Sequence, residues 1–218
     1  IDKANNETIG IVHLFHGMAE HMDRYDELVK ALNLQGYDVL RHNHRGHGKN
    51  IDENERGHFN DMTQVVDDAY EIVETIYDSH FELPYIVLGH SMGSIIARLF
   101  VKQYPQFANG LILTGTGMFP KWKGIPTMVL LKLITMILGK RRRVKWVNRL
   151  MNKSFTKKID QPQTESDWLS TKREEVNKFI DDEYCGFRVS NQLIYQTVKY
   201  MMDTANVNSL KQMNHNLP

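Results

Sequence analysis

The sequence has little cysteine and almost no excess of one charge. Cys185 is the only cysteine among 218 residues, so the chain cannot form an internal disulfide. The 27 basic and 26 acidic residues leave a formal net charge of +1, which gives no general attraction for a polyanion. We therefore expect no nucleic-acid partner. The single cysteine is typical of a reducing compartment, which predicts a cytoplasmic location.

A long uninterrupted apolar run is also lacking. The longest apolar segment, 125–138, contains Pro126 and Lys132 and is shorter than the ~18 residues that a membrane-spanning helix needs. The first eight residues are polar and contain no basic segment followed by an apolar one. We therefore predict neither a signal peptide nor a transmembrane helix.

Strand and helix patterns alternate through the first half of the chain. Short apolar runs predict buried strands, and segments with apolar residues at helical spacing lie between them. The predicted strands are 9–15, 37–40, 85–88 and 111–114, and the predicted helices include 62–77 and 95–104. This alternation is typical of an α/β fold with a mostly parallel sheet and flanking helices.

The alternation ends at Gly117. We predict a core over residues 1–117, an inserted helical cap over 118–206 and a return to the core over 207–218. The cap segments look helical and contain no internal repeat.

Residues 89–93 read Gly-His-Ser-Met-Gly and carry the strongest chemical signal. The pattern G-x-S-x-G between a strand and a helix is that of a nucleophile elbow, a sharp turn that lifts a serine above the sheet edge. Flanking glycines leave room for the neighbouring backbone, and the following helix dipole favours a developing oxyanion. We predict Ser91 as the nucleophile of an acyl transfer.

Acyl transfer also needs hydrogen-bond donors where the carbonyl oxygen becomes negative. In such an elbow one donor is the backbone amide after the serine, here Met92, and the other lies in a loop after an earlier strand. The loop His-Gly-Met at 16–18 follows the strand 9–15. The Met18 amide is therefore the second predicted donor.

Four motifs in one order resemble the monoglyceride lipase and lysophospholipase family of α/β-hydrolases. They are His-Gly-Met-Ala-Glu-His at 16–21, Arg-Tyr at 24–25, His-Arg-Gly-His-Gly at 44–48 and the elbow at 89–93. The resemblance covers about residues 9–117. Asn43 and Asn50 depart from it, because the family usually has Asp and Ser at these loop-anchoring positions.

The resemblance implies a serine hydrolase that cleaves carboxylic esters of small lipids, monoacylglycerols or lysophospholipids, through an acyl-enzyme at Ser91. It implies substrate-binding positions for Gly17, Glu20 and His90, with His90 packed under the elbow beside Ser91. It implies no cofactor. Peptidase or thioesterase chemistry, and a binding protein that has lost catalysis, stay open as alternatives.

In the family a hairpin precedes the first strand, and a strand bearing the catalytic Asp and a loop bearing the His follow the cap. The sequence predicts that this chain lacks that hairpin and those last strands. Asp203 and His215 are the late residues of the right type and order, but Asp203 lies in a helical stretch and His215 precedes the expected strand.

The cap contributes a second prediction. Segment 125–138 has almost no polar face, which suits a wall for an acyl chain or a surface that contacts a membrane at its periphery. We predict Leu131 and Ile134 as substrate contacts, and the basic run 140–145 near anionic headgroups. A buried helix with a solvated basic end is the open alternative.

His42, His44 and His47 suggest a metal site as an alternative, because closely spaced imidazoles are common zinc ligands. No nearby carboxylate or cysteine completes the set, since Asp52 and Glu53 lie beyond a flexible stretch. We predict no metal.

Overall fold

The computed structural model describes residues 1–80, 82–157 and 159–205. Within them four strands form one parallel sheet in the order β2-β1-β3-β4. The strands are β1 (Gly10–Phe15), β2 (Tyr37–Arg41), β3 (Tyr85–His90) and β4 (Gly110–Thr114). The predicted α/β fold with a mostly parallel sheet is confirmed.

The strand register brings the carboxyl ends of the central strands together. Phe15 pairs with Gly89, and His90 pairs with Thr114. The loops that follow β1, β3 and β4 therefore leave the sheet side by side, which is where ligands bind in open α/β sheets.

Helices cover the sheet and form the cap. They are α1 (Asp26–Leu34), α2 (Met62–His80), α3 (Met92–Gln103), α4 (Lys121–Leu138), α5 (Lys145–Thr156), α6 (Arg173–Asp181) and α7 (Asn191–Thr204). Val65, Val66 and Ala69 form the buried stripe of α2, as their helical spacing predicts. Helix α3 begins at Met92, three residues before the predicted start at residue 95, because it follows the elbow directly.

The segment before β1 adds one antiparallel bridge to the sheet. Asp2 and Val39 exchange two N–H···O bonds of 2.8 Å at the outer edge of β2. The amide of Ala4 also donates to the carboxylate of buried Asp38 at 2.8 Å. The sheet thus gains an antiparallel contact that the sequence pattern did not predict.

The last cap helix also belongs to the core. Helix α7 packs against α4 of the cap and against α2 and α3 beneath it. The domain limits at residues 117 and 206 stay predictions, and 207–218 lies outside the described residues.

Two arginines of the basic run fasten the cap to the loop after β2. Arg141 pairs with Glu55 at 2.6 Å, and Arg143 donates to the carbonyl oxygens of Glu53 and Arg56, each at 2.6 Å. The side chains of Arg141 and Arg143 are bonded to other residues of the protein. The predicted contact with lipid headgroups therefore stays a prediction for the other basic residues of the run.

Helix α4 is largely exposed, so the buried-helix alternative is wrong. Leu131 and Ile134 are buried, whereas Trp122, Met136 and Ile137 are each at least 70% exposed. Pro126 lies inside the helix. No helix among the described residues combines the length and apolarity needed to span a bilayer.

Candidate active site

Ser91 lies on a strained turn between β3 and α3. Its φ of 53° and ψ of −116° place an L-residue in a region that costs of order 1–3 kcal/mol. The Ser91 amide donates to the carbonyl of Thr114 at 2.9 Å, and its own carbonyl accepts from the Ser94 amide at 3.0 Å. The predicted elbow geometry is present.

The two glycines of the elbow are required by close backbone contacts. A methyl group at Gly93 would lie 2.0 Å from the carbonyl oxygen of Phe15 and 2.5 Å from that of His16. One at Gly89 would lie 2.5 Å from the carbonyl oxygen of Gly93. Helix α3 therefore sits directly against β1 and β3, and this contact fixes the height of Ser91 above the sheet.

The two predicted oxyanion donors lie beside the serine. Met92 is the first residue of α3, where helix geometry provides no acceptor for its N–H. No hydrogen bond joins the Met18 amide to another residue in the described part of the chain. A methyl group at Gly17 would lie 3.4 Å from the Cβ of Ser91, so the loop passes close over the nucleophile. These positions are compatible with the predicted oxyanion hole, which stays a prediction.

Glu20 stabilises this loop through hydrogen bonds. Its carboxylate is buried and accepts from the Gly17 amide at 2.5 Å and from the Tyr25 hydroxyl at 2.7 Å, and it pairs with Arg24. Glu20 is not among the described residues that line the cavity at Ser91. Its predicted contact with substrate stays a prediction, while its hydrogen bonds give it a supporting role.

Buried histidines hold the same loop from below. The His47 Nε2 accepts from the Ala19 amide at 3.2 Å, so its Nδ1 carries the proton and donates to the Arg45 carbonyl at 2.9 Å. His16 uses the same tautomer, accepting from the His44 amide at 3.0 Å. Both bonds require neutral rings. Burial lowers the pKa of His47 to about 4 and holds the pKa of His16 well below its ordinary value.

A cavity of about 450 Å³ opens onto Ser91 beneath the cap. Ser91, Met18 and Met92 all line it, together with mostly apolar cap side chains. The apolar wall includes Ile95, Leu131, Val147, Ile194, Val198 and Met201. Leu131 lines this cavity and Ile134 is absent from the described lining residues, although both pack in the hydrophobic core. The predicted substrate contacts of both residues stay predictions.

Comparison with known proteins assigns the sequence to a family. A family model described as serine aminopeptidase, S33, matches residues 6–213. The chain belongs to this family. The resemblance to monoglyceride lipases and lysophospholipases drawn from the four motifs is confirmed by related sequences.

Three curated relatives of this S33 family member are similar over about half of its length. Monoacylglycerol lipase of Mycolicibacterium smegmatis is 37% identical over 106 residues, which is 49% of this chain and 37% of the relative. Monoglyceride lipase of Mus musculus is 38% identical, covering 47% and 33%. The probable lysophospholipase L2 of Haemophilus influenzae is 34% identical, covering 46% and 33%. The matched part thus spans about a third of these relatives.

Solved structures are similar over nearly the whole chain. A carboxyl esterase from Bacillus coagulans in complex with glycerol has a TM-score of 0.88 and 27% identity, covering 99% of this chain and 71% of that one. A monoglyceride lipase variant from Saccharomyces cerevisiae with a substrate analogue has a TM-score of 0.74 and 19% identity, covering 98% and 67%. The second likeness shows the fold.

Substitutions at Met18 test the predicted oxyanion hole of this S33 family member. Met18→Pro removes the N–H that we assign to the oxyanion, so kcat/KM for p-nitrophenyl butyrate is expected to fall about 100-fold or more. Met18→Ala keeps the amide and is expected to stay within about threefold of the parent. A severe Met18→Ala with a mild Met18→Pro would show that the side chain matters instead.

His90 contacts the end of β4 and the residue after it. Its Nδ1 lies 2.9 Å from the Thr114 hydroxyl, and its ring lies against Gly115, where a methyl group would be 3.0 Å from it. This agrees with a packing position under the elbow. His90 is not among the described residues that line the cavity, and its predicted substrate contact stays a prediction.

The cap is joined to the loop at 16–21, here called the oxyanion loop, by a His-Asp-Cys cluster that the sequence did not predict. His21 Nε2 lies 2.8 Å from the Asp182 carboxylate, 161 residues away. Their ligand atoms and that of Cys185 lie within 4.8 Å of one another, a grouping that could hold a metal ion. Burial raises the pKa of the Cys185 thiol to about 12, which keeps the proton on it.

The histidines considered above as metal ligands include His42 and His44. The rings of these two residues pack against each other, with centroids 5.0 Å apart.

The general base stays unassigned. Asp203 lies on the exposed side of α7, 3.9 Å from the ammonium of Lys102, and His215 lies outside the described residues. The Ser91 hydroxyl has no hydrogen-bond partner in the described part of the chain.

Proposed function

We propose that this protein hydrolyses carboxylic esters of small lipids through an acyl-enzyme on Ser91. The Ser91 oxygen loses its proton to a base and bonds to the ester carbonyl carbon, while the Met18 and Met92 amides donate to the oxyanion. The ester C–O bond breaks and the alcohol leaves with a proton. Water then attacks the acyl-serine and releases the fatty acid. No cofactor enters these steps.

The apolar cavity at the nucleophile carries this proposal. An acyl chain buried there would contribute about 0.8 kcal/mol per methylene, whereas a peptide would bury amide groups against walls that offer few partners. The curated relatives named monoacylglycerol lipase and lysophospholipase support the same substrates. The family description names a peptidase, so a peptide amide belongs in the assay.

Chain-length selectivity tests the cavity. Leu131→Ala removes side-chain surface that lines the cavity, so the ratio of kcat/KM for p-nitrophenyl palmitate to that for p-nitrophenyl butyrate is expected to fall about tenfold. The panel includes monoacylglycerol, lysophospholipid, a thioester and an aminoacyl amide, and we expect the two lipids to be cleaved fastest.

Ile134→Ala is the matched control, because Ile134 is similarly buried on α4 but is not among the described residues that line the cavity. It should lower stability and leave the palmitate-to-butyrate ratio unchanged. An equal fall in both variants would mean a general packing defect, and fastest cleavage of the amide would replace the lipid proposal with a peptidase.

We further propose that the cap contacts lipid surfaces. Between residues 118 and 157 the chain carries eleven lysines and arginines and no aspartate or glutamate. On α4 and α5 in this segment, Trp122, Ile137 and Leu150 are each more than 60% exposed. Exposed apolar side chains among basic ones suit the interface of an anionic bilayer.

Vesicle binding tests this surface. Ile137→Glu is expected to weaken binding to phosphatidylglycerol-containing vesicles about tenfold in a sedimentation assay, because it places a charge on the inserted face. Leu34→Glu is the control, since Leu34 is 61% exposed on α1, outside the cap. Equal losses in both variants, or none, would contradict a docking surface on the cap.

A further inference from the structure

We propose that Arg188 selects substrates that carry a phosphate on the alcohol side of the ester. The inference rests on the proposed function, because it concerns the substrate of the same cavity. It decides between a neutral monoacylglycerol and an anionic lysophospholipid, which the elbow and the oxyanion hole serve equally.

Arg188 is the unpaired charge of the cavity. The charged side chains among the described lining residues are Glu165 and Arg188. Glu165 has partners, since Arg149 lies 3.9 Å and Asn152 3.5 Å from its carboxylate. Arg188 forms no ion pair or side-chain hydrogen bond with another described residue, although it borders a space with largely apolar walls. An anion entering this cavity would find its guanidinium available.

The backbone on both sides of Arg188 is anchored. The Gly186 amide donates to the Ala19 carbonyl at 2.9 Å, and the Val189 amide donates to the Asn148 side chain at 2.9 Å. The Ser190 amide donates to the Gly57 carbonyl at 2.8 Å. The backbone of Arg188 is therefore fixed at the edge of the cavity, and its side chain is exposed there.

The same anchoring places Arg188 near the alcohol side of the ester. Gly186 bonds to the residue that follows Met18, so segment 186–188 borders the oxyanion loop. The apolar walls from α4 and α7, such as Leu131 and Val198, offer the acyl chain its space. When the acyl chain lies along these walls and its carbonyl oxygen is at the oxyanion hole, the alcohol part of the ester lies near the oxyanion loop and segment 186–188.

Phosphate suits this position. A guanidinium presents a planar fork that binds phosphate oxygens through two charge-assisted hydrogen bonds. A neutral glycerol headgroup would receive only ordinary hydrogen bonds from it. Arg188 should therefore add affinity for the phosphate-bearing lipid alone.

Binding of ether analogues, which carry no cleavable ester, tests the inference by calorimetry. The probes are 1-O-decylglycerol 3-phosphate, 1-O-decylglycerol and glycerol 3-phosphate, all kept below micelle formation. We expect the parent protein to bind the phosphate ether at least tenfold more tightly than the neutral ether. Arg188→Gln should remove that preference and leave the neutral ether unchanged.

Arg45→Gln is the control, because Arg45 is an exposed arginine that pairs with Asp68, and neither residue is among the described residues that line the cavity. It should keep the full preference. An unchanged preference in Arg188→Gln overturns the inference, as does glycerol 3-phosphate binding as tightly as the phosphate ether, which would mark a site for free phosphate. Failure of both ethers to bind overturns the inference and the acyl-chain site together.

The two proposals can fail separately. Arg188-dependent binding of the phosphate ether without hydrolysis of any ester would keep this inference and remove the proposed enzyme activity. Hydrolysis of monoacylglycerol together with equal binding of both ethers would keep the proposed enzyme activity and remove the inference about Arg188.

Discussion

Ser91→Ala is expected to lower kcat/KM for p-nitrophenyl butyrate by at least about a thousandfold and to abolish labelling by a fluorophosphonate probe. Only a hydroxyl is lost, and that hydroxyl makes no capping bond to α3. Alanine meets the same positive φ as serine, so the free energy of unfolding should change by less than about 0.5 kcal/mol. Hydrolysis, labelling and urea unfolding measured on one preparation separate lost chemistry from a lost fold.

Ser170→Ala is the matched control, because its hydroxyl accepts from the Lys172 amide in the cap and is absent from the described lining of the cavity. It should keep turnover and labelling. Retained labelling in Ser91→Ala would place the reactive nucleophile elsewhere and remove the basis of the proposed reaction.

The sheet and the elbow were predictable because their signals are local. A short apolar run between turn residues specifies a buried strand, and alternation with helices specifies parallel pairing. The elbow motif constrains its own backbone, since only glycine tolerates the contacts at positions 89 and 93. These features need no knowledge of distant residues.

The exposure of α4 could not be predicted for a physical reason. A helix that is apolar nearly all round carries no period that marks its buried side. Its inner side is set by α7: a methyl group at Gly124 would lie 2.4 Å from the sulfur of Met202, so the helices touch at that glycine. That contact joins segments far apart in the sequence.

The supports of the oxyanion loop were missed for a similar reason. The hydrogen bond between His21 and Asp182 joins residues that are 161 positions apart in the sequence. The hydrogen bond between Gly186 and Ala19 joins residues that are similarly distant in the sequence. Neither residue pair forms a local pattern. The role of His47 depends on which ring nitrogen carries the proton, and this follows only from its partners in three dimensions.

Gly93→Ala is expected to lower the free energy of unfolding by more than about 4 kcal/mol or to prevent folding. In an ordinary helix the change would stabilise by up to about 1 kcal/mol, so the expected sign is opposite to helix propensity. The new methyl would lie 2.0 Å from the Phe15 carbonyl oxygen. That oxygen belongs to β1, which is paired to β2 and β3 on its two sides, so it cannot withdraw. Helix α3 would have to move off the sheet.

Gly117→Ala separates this clash from a general cost of replacing glycine. A methyl group at Gly117 would meet only the flexible end of Met201, at 3.0 Å, and Gly117 has no positive φ. Its free energy of unfolding in urea should stay within about 1 kcal/mol of the parent protein. If Gly93→Ala were equally mild, the close contact of α3 with β1 would be wrong. The height of Ser91 and the Met92 amide above the sheet, which depends on that contact, would then lose its structural basis.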